Sequence, residues 1–496
     1  MSTPTLRDAL ASHLASLPNS SELGLTVLTS MPKRTTAIFP HSPSAGVRCW
    51  ETEYLVVVHS GVPGETANGT SSHPPSQPEP STSNPTSQTP TDPSPTAPAS
   101  SPSQPTSNGA PSTPATPHVL AAAISCHLYT LPSPPDAPSS ILYISKVDSS
   151  GYAPPSPITR VLASGLLAYF LDPATRPGSA SGSVTATLFA RSQGQYLFPN
   201  SVEGGGKRVL GGLGLCQWWK SVYEDAARLA PADLAFLLPS YSASEAKGIL
   251  GAPRRPPPSE WEYAPPFRAP LFRARRSLAT LIPSLPDDPK TRFLEELVSA
   301  ALDTPAPHEK EKDKEKEKEK GKEKQKSRKN VEAAEDEADR RRAHAALAKI
   351  PAGEFWERMG FRQECASGDV TGFFSASVGP KRDGGGEKET SPASSDDGER
   401  ARYEPPRAPH SISKPLVERI LTSMLNTDFG TRALAYAGTE QWLASTRALV
   451  LDEVGEAGWD ASTATIAFKK VAATPPPPKR KEETVTMLQP RKKKRV

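Results

Sequence analysis

From about residue 62 to 117 the chain is Ser, Thr and Pro with almost nothing apolar, and from 309 to 329 Glu and Lys alternate, beginning Glu309-Lys310-Glu311-Lys312. Neither run has a face it could bury, so neither can offset the entropy of ordering its own backbone. A third low-complexity stretch covers 376–411, and a Pro-rich, basic tail closes the chain. These segments set the architecture. The part that folds is assembled from the pieces between them, interrupted by long disordered insertions. The pieces are 1–61, 118–304, 352–375 and 412–470. They are separated by a linker at 62–117, a charged insertion at 305–351, a second linker at 376–411 and a tail at 471–496. With 56 Pro and 36% hydrophobic residues among 496, one core fits better than three.

The apolar pattern of the pieces alternates between the two regular periods. Leu6, Leu10 and Leu14 mark a short helix over 5–17. Runs at 24–29, 54–59, 119–127, 141–147 and 184–189 read as strands. Helices are expected at 158–171, 213–228 and 288–303, the last with Leu294, Leu297 and Val298 on one face. The stretch 352–375 carries Phe355, Trp356, Phe361, Phe373 and Phe374. Residues 412–470 predict helices near 415–426 and 439–452, then a strand at 463–468. The class is α/β, with strands and helices mixed.

The net charge of +4 argues against strong, specific binding of nucleic acid across the surface. Cys49, Cys126, Cys216 and Cys365 are scattered, with no C-x-x-C pair, so neither a zinc ribbon nor a disulfide framework is indicated, and a reducing compartment is expected. No metal site is expected. No apolar stretch approaches the roughly 20 residues that span a bilayer, and the first residues lack a signal-peptide pattern, so a soluble protein without membrane contact is expected. Phosphate-loop, dinucleotide-loop, zinc-protease and nucleophile-elbow motifs are all missing.

Three segments together carry more information. The first is Leu188-Phe189-Ala190-Arg191, then Gln195-Tyr196-Leu197-Phe198-Pro199-Asn200-Ser201, Lys207-Arg208-Val209-Leu210 and Gln217-Trp218-Trp219. The second is Asp287-Asp288-Pro289-Lys290. The third is Phe355-Trp356-Glu357-Arg358-Met359 with Phe361-Arg362-Gln363-Glu364-Cys365. A weaker fourth is Ser145-Lys146-Val147-Asp148-Ser149-Ser150-Gly151-Tyr152. In order and spacing they resemble the fungal histone H3 lysine acetyltransferase family named for regulation of Ty1 transposition. The resemblance implies the fold of the metazoan CREB-binding-protein acetyltransferase domain, a mixed central sheet surrounded by helices. It implies acetyl-CoA as the acetyl donor, with no metal. It also implies histone H3–H4 as substrate, chiefly the core lysine at position fifty-six with some tail lysines, and histone chaperones as partners. The implied role is chromatin assembly and tolerance of DNA damage.

The residue types suit that chemistry. An anionic coenzyme wants cations and backbone N–H groups, and its pantetheine arm wants an apolar tunnel that keeps water from the thioester. By resemblance Val147, Asp148, Ser149, Arg160, Phe189, Gln193, Arg208, Val209, Leu210 and Trp218 line the coenzyme site. The aromatics could equally be ordinary core. A lysine nucleophile arrives protonated and must lose its proton. The family treats the position matching Asp288 as catalytic. Asp287, Tyr196 and Trp219 are the further candidates, and simple helix capping is the alternative for the two acids. Lys290 matches the family's self-acetylated lysine, though a solvated helix lysine has the same look. The clusters Lys479-Arg480-Lys481 and Arg491-Lys492-Lys493-Lys494-Arg495 read as a bipartite nuclear import signal. Two other readings stay open: an inactive nuclear scaffold, and an acetyltransferase for a non-histone substrate.

Overall fold

Strands β3 (Cys49–Gly61) and β4 (His118–Thr130) form the spine of the molecule, buried almost from end to end on both faces. In the computed structural model the described residues are 4–18, 22–36, 38–42, 49–61, 117–131, 139–154, 156–180, 182–252, 256, 259–268, 277–302, 337–366, 368–379 and 405–467. They build one ten-stranded sheet. It also contains β1 (Leu23–Thr29), β2 (Lys33–Thr35), β5 (Ser140–Ser149), β6 (Val184–Ala190), β7 (Asp233–Leu237), β8 (Trp261–Tyr263), β9 (Gly372–Val378) and β10 (Thr463–Ile466). The order is β10-β1-β3-β4-β5-β6-β9-β7-β8, with β2 beside β3. Pairing is antiparallel except for β5–β6 and β7–β8. The mixed sheet expected from the sequence is present; β3, β4 and β5 outrun their expected bounds at both ends, β10 ends at Ile466 instead of 468, and β2, β7, β8 and β9 were not expected as strands. The apolar core of β3, β4 and β5 was visible, and their polar ends are held by pairing with neighbours.

Successive side chains point to opposite faces, so each strand feeds two cores. Tyr54, Val56 and Val58 of β3 join Leu142 and Ile144 of β5 on one face, while Leu55 and Val57 face the other way. On the first face α2 (Ile158–Leu171) packs between α1 (Leu6–Ala15) and α3 (Gly212–Leu229). α2 is apolar nearly all round, as a helix enclosed on every side must be. The other face is covered in two parts. Over β5 and β9, Ile141, Tyr143 and Phe373 meet α5 (Leu278–Leu281) and α6 (Pro289–Leu302). They also meet the helical residues 337–347, here α7, and α8 (Ala352–Met359).

The charged insertion expected over 305–351 therefore ends sooner among the described residues. Ala343, Leu347 and Ile350 fall at helical spacing, and the first two are buried in this core. Their dense charged neighbours hide the stripe in the sequence. Likewise β9 runs to Val378, and Ser411 is buried next to Ile412, which bridges Ser30, so both ends of the expected 376–411 linker belong to the fold. The linker at 62–116 and the tail from 468 lie outside the described residues.

Over β3 and β4 the cover is α10 (Lys414–Leu425) and α11 (Arg432–Ser462), the latter broken at Gly455, where φ is +70°. Lys414 ties α10 to the sheet, its Nζ lying 2.8 Å from Glu51 and 2.5 Å from Glu53. His127 Nδ1 is 3.1 Å from the same Glu51. Burial opposes ionisation of Glu51, but its hydrogen bonds to His127 and Lys414 outweigh that and bring the carboxyl down to about 2. Glu51, Glu53 and His127 are the one metal-ligating cluster among the described residues, and the Lys414 ammonium already takes the place of a cation there.

Candidate functional site

The site begins where two parallel strands stop pairing. β5 and β6 are in register from Ser140 and Val184 to Tyr143 and Thr187. Beyond that β5 stays with β4 and β6 stays with β9, and the two diverge. Ile144–Ser149 and Leu188–Arg191 become the walls of a wedge that the sheet cannot fill. A cavity of about 420 Å³ occupies it, closed by the start of α2, the start of α3 and the loop Lys207–Leu210.

The loop from Gln193 to Leu210 has no regular structure, so its backbone needs another partner, and Asp148 supplies it. One carboxylate oxygen accepts the N–H groups of Tyr196 at 2.8 Å, Leu197 at 2.9 Å and Phe198 at 3.3 Å. The other accepts Ser149 N–H at 2.8 Å and Lys207 Nζ at 2.6 Å. Lys207 also donates to Ser201 Oγ at 3.0 Å, which closes the loop on itself. Gly151 permits this close approach. Its φ is +82°, and a Cβ there would lie 2.5 Å from the backbone nitrogen of Lys207.

One end of the cavity opens on the start of a helix. Pro157 precedes α2 and offers no side-chain cap, so the first N–H groups of a 14-residue helix are left to a ligand. Ser156, Pro157, Thr159 and Arg160 line this end, and Ser156 Oγ is buried without a hydrogen-bond partner among the described residues. Arg160 is steadied by Asp225 of α3, Nε to Oδ2 at 2.7 Å. Apolar surface follows: Leu188, Phe189, Val209, Leu210, Leu215, Trp218 and Trp219. Val209 is 41% exposed, unusual for a valine beside a cavity and suited to an apolar ligand lying against it.

A second cavity of about 250 Å³ shares Ser145, Lys146, Phe189, Arg191, Gln193 and Tyr196 with the first, and adds Tyr143, Asp287, Pro289, Arg292 and Glu364. The two acids of the Asp-Asp pair separate here. Asp287 takes a left-handed φ of 55°, which turns its side chain outward and that of Asp288 inward. Asp287 lines the cavity, is 68% exposed, and receives Lys146 Nζ at 2.8 Å. That hydrogen bond, with the Lys146 charge, holds its carboxyl below the usual range. Asp288 lines neither cavity among the described residues. Its carboxylate accepts the N–H of Lys290 at 2.9 Å, capping α6, and forms an ion pair with the Lys290 ammonium. Both side chains are 1% exposed, and Lys290 Nζ sits 4.5 Å over the Phe373 ring. Burial pushes the Lys290 ammonium down, and Asp288 opposes the shift.

Of the residues singled out in the sequence, Val147, Asp148, Ser149, Arg160, Phe189, Gln193, Tyr196, Arg208, Val209, Leu210, Trp218 and Trp219 meet on one cavity wall. Tyr196 faces both cavities, while Trp219 belongs to the first and to the core behind it. Asp288, expected at the reacting centre, lies buried behind the cavity, where the turn at Asp287 carries it, and Asp287 lines the cavity itself. Lys290, expected by resemblance to be self-acetylated, is fully buried, which the alternative of a solvated helix lysine does not fit. Lys146, Arg292 and Glu364 were not singled out. Lys146 and Glu364 sit inside the quoted segments, but only the fold turns them into the same space.

The uncapped start of α2, the apolar lining of the first cavity and the carboxylate-bearing second cavity that shares its wall are the features of the site. The histone acetyltransferase KAT11-type domain family matches residues 177–445, more than half of the chain, and the chain belongs to that family. It is 28% identical over 271 residues to the histone acetyltransferase rtt109 of Aspergillus flavus, covering 48% of this chain and 42% of the relative. With the histone acetyltransferase rtt109 of Schizosaccharomyces pombe it shares 29% identity over 244 residues, 47% of this chain and 51% of the relative. The chain thus spans about half the length of the curated relatives it matches. The crystal structure of Rtt109 from Aspergillus fumigatus has the same fold, with a TM-score of 0.59 at 20% identity over 94% of this chain and 99% of the other.

Proposed function

We propose that this protein is a lysine acetyltransferase that moves an acetyl group from acetyl-CoA to histone H3. The observation that carries the reading is the junction of the two cavities, an anion-binding, apolar channel ending at a carboxylate-lined pocket. The donor set fits the coenzyme. The open start of α2, Ser156 and Arg160 suit a pyrophosphate, Arg208 adds a cation at the loop, and Phe189, Val209, Leu210 and Trp218 suit the pantetheine arm. When bound, acetyl-CoA supplies the activated acetyl group on a thioester.

The chain's own residues then act in three ways. The Asp148-held loop covers the arm and excludes water. Burial, reinforced by the charge of Asp148, pushes the Tyr196 phenol up to about 12, so it stays neutral, and its hydroxyl is engaged by the carbonyl of Arg191. Tyr196 therefore shapes the junction and takes no proton. Asp287 is ionised, faces the acceptor cavity and stays in contact with solvent, so it can hold an incoming ammonium and pass its proton to water. Its low pKa makes it a weak base. Asp288 acts through the turn it caps. Self-acetylation of Lys290 requires that this turn open, because the ammonium is enclosed.

The relatives named as histone acetyltransferases support a histone substrate; lysines of H3 in H3–H4, including the core lysine at position fifty-six, presented by histone chaperones, are what the family resemblance of the sequence adds. Work in the nucleus, in chromatin assembly and under DNA damage, belongs to the same reading. No helix among the described residues is long and apolar enough to cross a membrane. The basic clusters proposed for nuclear import lie outside the described residues. Incubating the full chain with acetyl-CoA and H3–H4, with and without chaperone, and reading the products by mass spectrometry is expected to show acetylated H3 lysines. Coenzyme binding without transfer to any protein would favour the scaffold, and transfer to other proteins alone would overturn the histone assignment.

A further inference from the structure

Two carboxylates face the acceptor cavity, and they are not equivalent. Asp287 is largely solvated and has a close partner in Lys146. Glu364, at the start of the turn Gln363–Ala366, has a side chain only 13% exposed. Its Oε1 lies a long 3.4 Å from Nη1 of Arg292, whose own side chain is 63% exposed. Its Oε2 is fully buried and has no hydrogen-bond partner among the described residues. An exposed ion pair at that distance contributes little. A buried carboxylate oxygen without a donor is costly, and proteins keep such groups where a ligand completes them.

The surroundings indicate which ligand. The cavity opens on the junction with the coenzyme channel through Phe189, Gln193 and Tyr196. Its remaining wall is Tyr143, whose hydroxyl is occupied by the carbonyl of Pro286 at 2.8 Å, and the ring of Pro289. A largely polar cavity in which the rings of Tyr143, Phe189 and Pro289 offer apolar surface beside one unsatisfied buried carboxylate matches an alkyl chain ending in a cationic N–H donor. Lys146, Arg191 and Arg292 surround it, so a second permanent cation is repelled unless a carboxylate receives it, and a bound amine is driven towards its neutral, nucleophilic form.

Resting on the acetyltransferase reading, we propose that Glu364 is the residue that selects lysine in the acceptor cavity. Its buried Oε2 accepts a hydrogen bond from the incoming ammonium, and Arg292 gives up its contact and turns to solvent as the lysine arrives. Arg292 is then a resident competitor for the same carboxylate. A purely structural Glu364–Arg292 pair would make both residues matter in the same direction. Substrate recognition makes them matter in opposite directions.

The test is steady-state kinetics of the full chain on H3–H4, with coenzyme affinity measured by calorimetry and Tm by calorimetric scanning. Glu364→Gln keeps the shape and removes the charge. It is expected to raise KM for the histone about 10- to 100-fold, the range of one charge-assisted hydrogen bond, with acetyl-CoA affinity unchanged. Arg292→Ala is expected to lower that KM. Should Glu364→Gln fold poorly, the Arg292→Ala result and Glu364→Asp, expected to fall between wild type and Gln, still decide the matter. An unchanged KM in Glu364→Gln, or a KM raised alike in Glu364→Gln and Arg292→Ala, overturns the proposal. A wild-type protein that binds the coenzyme but acetylates nothing overturns the acetyltransferase reading instead.

Discussion

Asp148→Ala is expected to lower stability by about 3–5 kcal/mol and to abolish measurable acetyl-CoA binding. The side chains of Asp148 and Lys207 are 5% and 7% exposed, and removing one member of a buried ion pair leaves the other charge without compensation. The loss goes further than the pair. The N–H groups of Tyr196, Leu197 and Phe198 converge on the same oxygen, and without it the loop over the cavity has three orphaned donors. Lys207→Met removes the cation alone and spares the N–H contacts, so it should keep more of the coenzyme affinity than Asp148→Ala does. Denaturant titration and calorimetry on both variants check this. An Asp148→Ala protein with wild-type stability and coenzyme affinity would show that the loop is held by other means.

The second large effect concerns the Asp288–Lys290 pair. Each is buried, and each single replacement, Asp288→Asn or Lys290→Met, is expected to cost about 3–5 kcal/mol. The double variant Asp288→Asn/Lys290→Met should recover most of that loss, because an uncharged pair of similar volume does not need its partner's charge. Turnover should fall in the Asp288→Asn variant, since the turn that aims Asp287 at the acceptor cavity is capped by that carboxylate. If the double variant regains stability but stays inactive by about 10²- to 10⁴-fold, Asp288 acts in the chemistry itself. If it regains both, Asp288 is a positioning residue.

The residues proposed for the coenzyme, which line one cavity, were legible in the sequence because they fall in dense local segments. Val147–Ser149 end one strand, Phe189 ends another, and Arg208–Leu210 lead into the helix that carries Trp218 and Trp219. The acceptor side was less legible. Whether Asp287 or Asp288 faces the cavity turns on the sign of one backbone angle, which no spacing rule reports. Glu364 and Arg292 are 72 positions apart and meet only because α6 and α8 pack on the same end of the sheet. The helix at 337–347 was missed because its apolar stripe of Ala343, Leu347 and Ile350 is narrow and set in a charged run.

The central claim is that the wedge between the diverging β5 and β6 holds the coenzyme with its thioester at the mouth of the acceptor cavity. A crystal structure of the protein with coenzyme A tests it most directly. The pyrophosphate is expected at the start of α2 beside Ser156 and Arg160, the arm along Val209, Leu210 and Trp218, and the sulfur near Phe189 and Tyr196, facing Asp287 and Glu364. Coenzyme bound elsewhere, or in this channel with its sulfur pointing away from the second cavity, would contradict it.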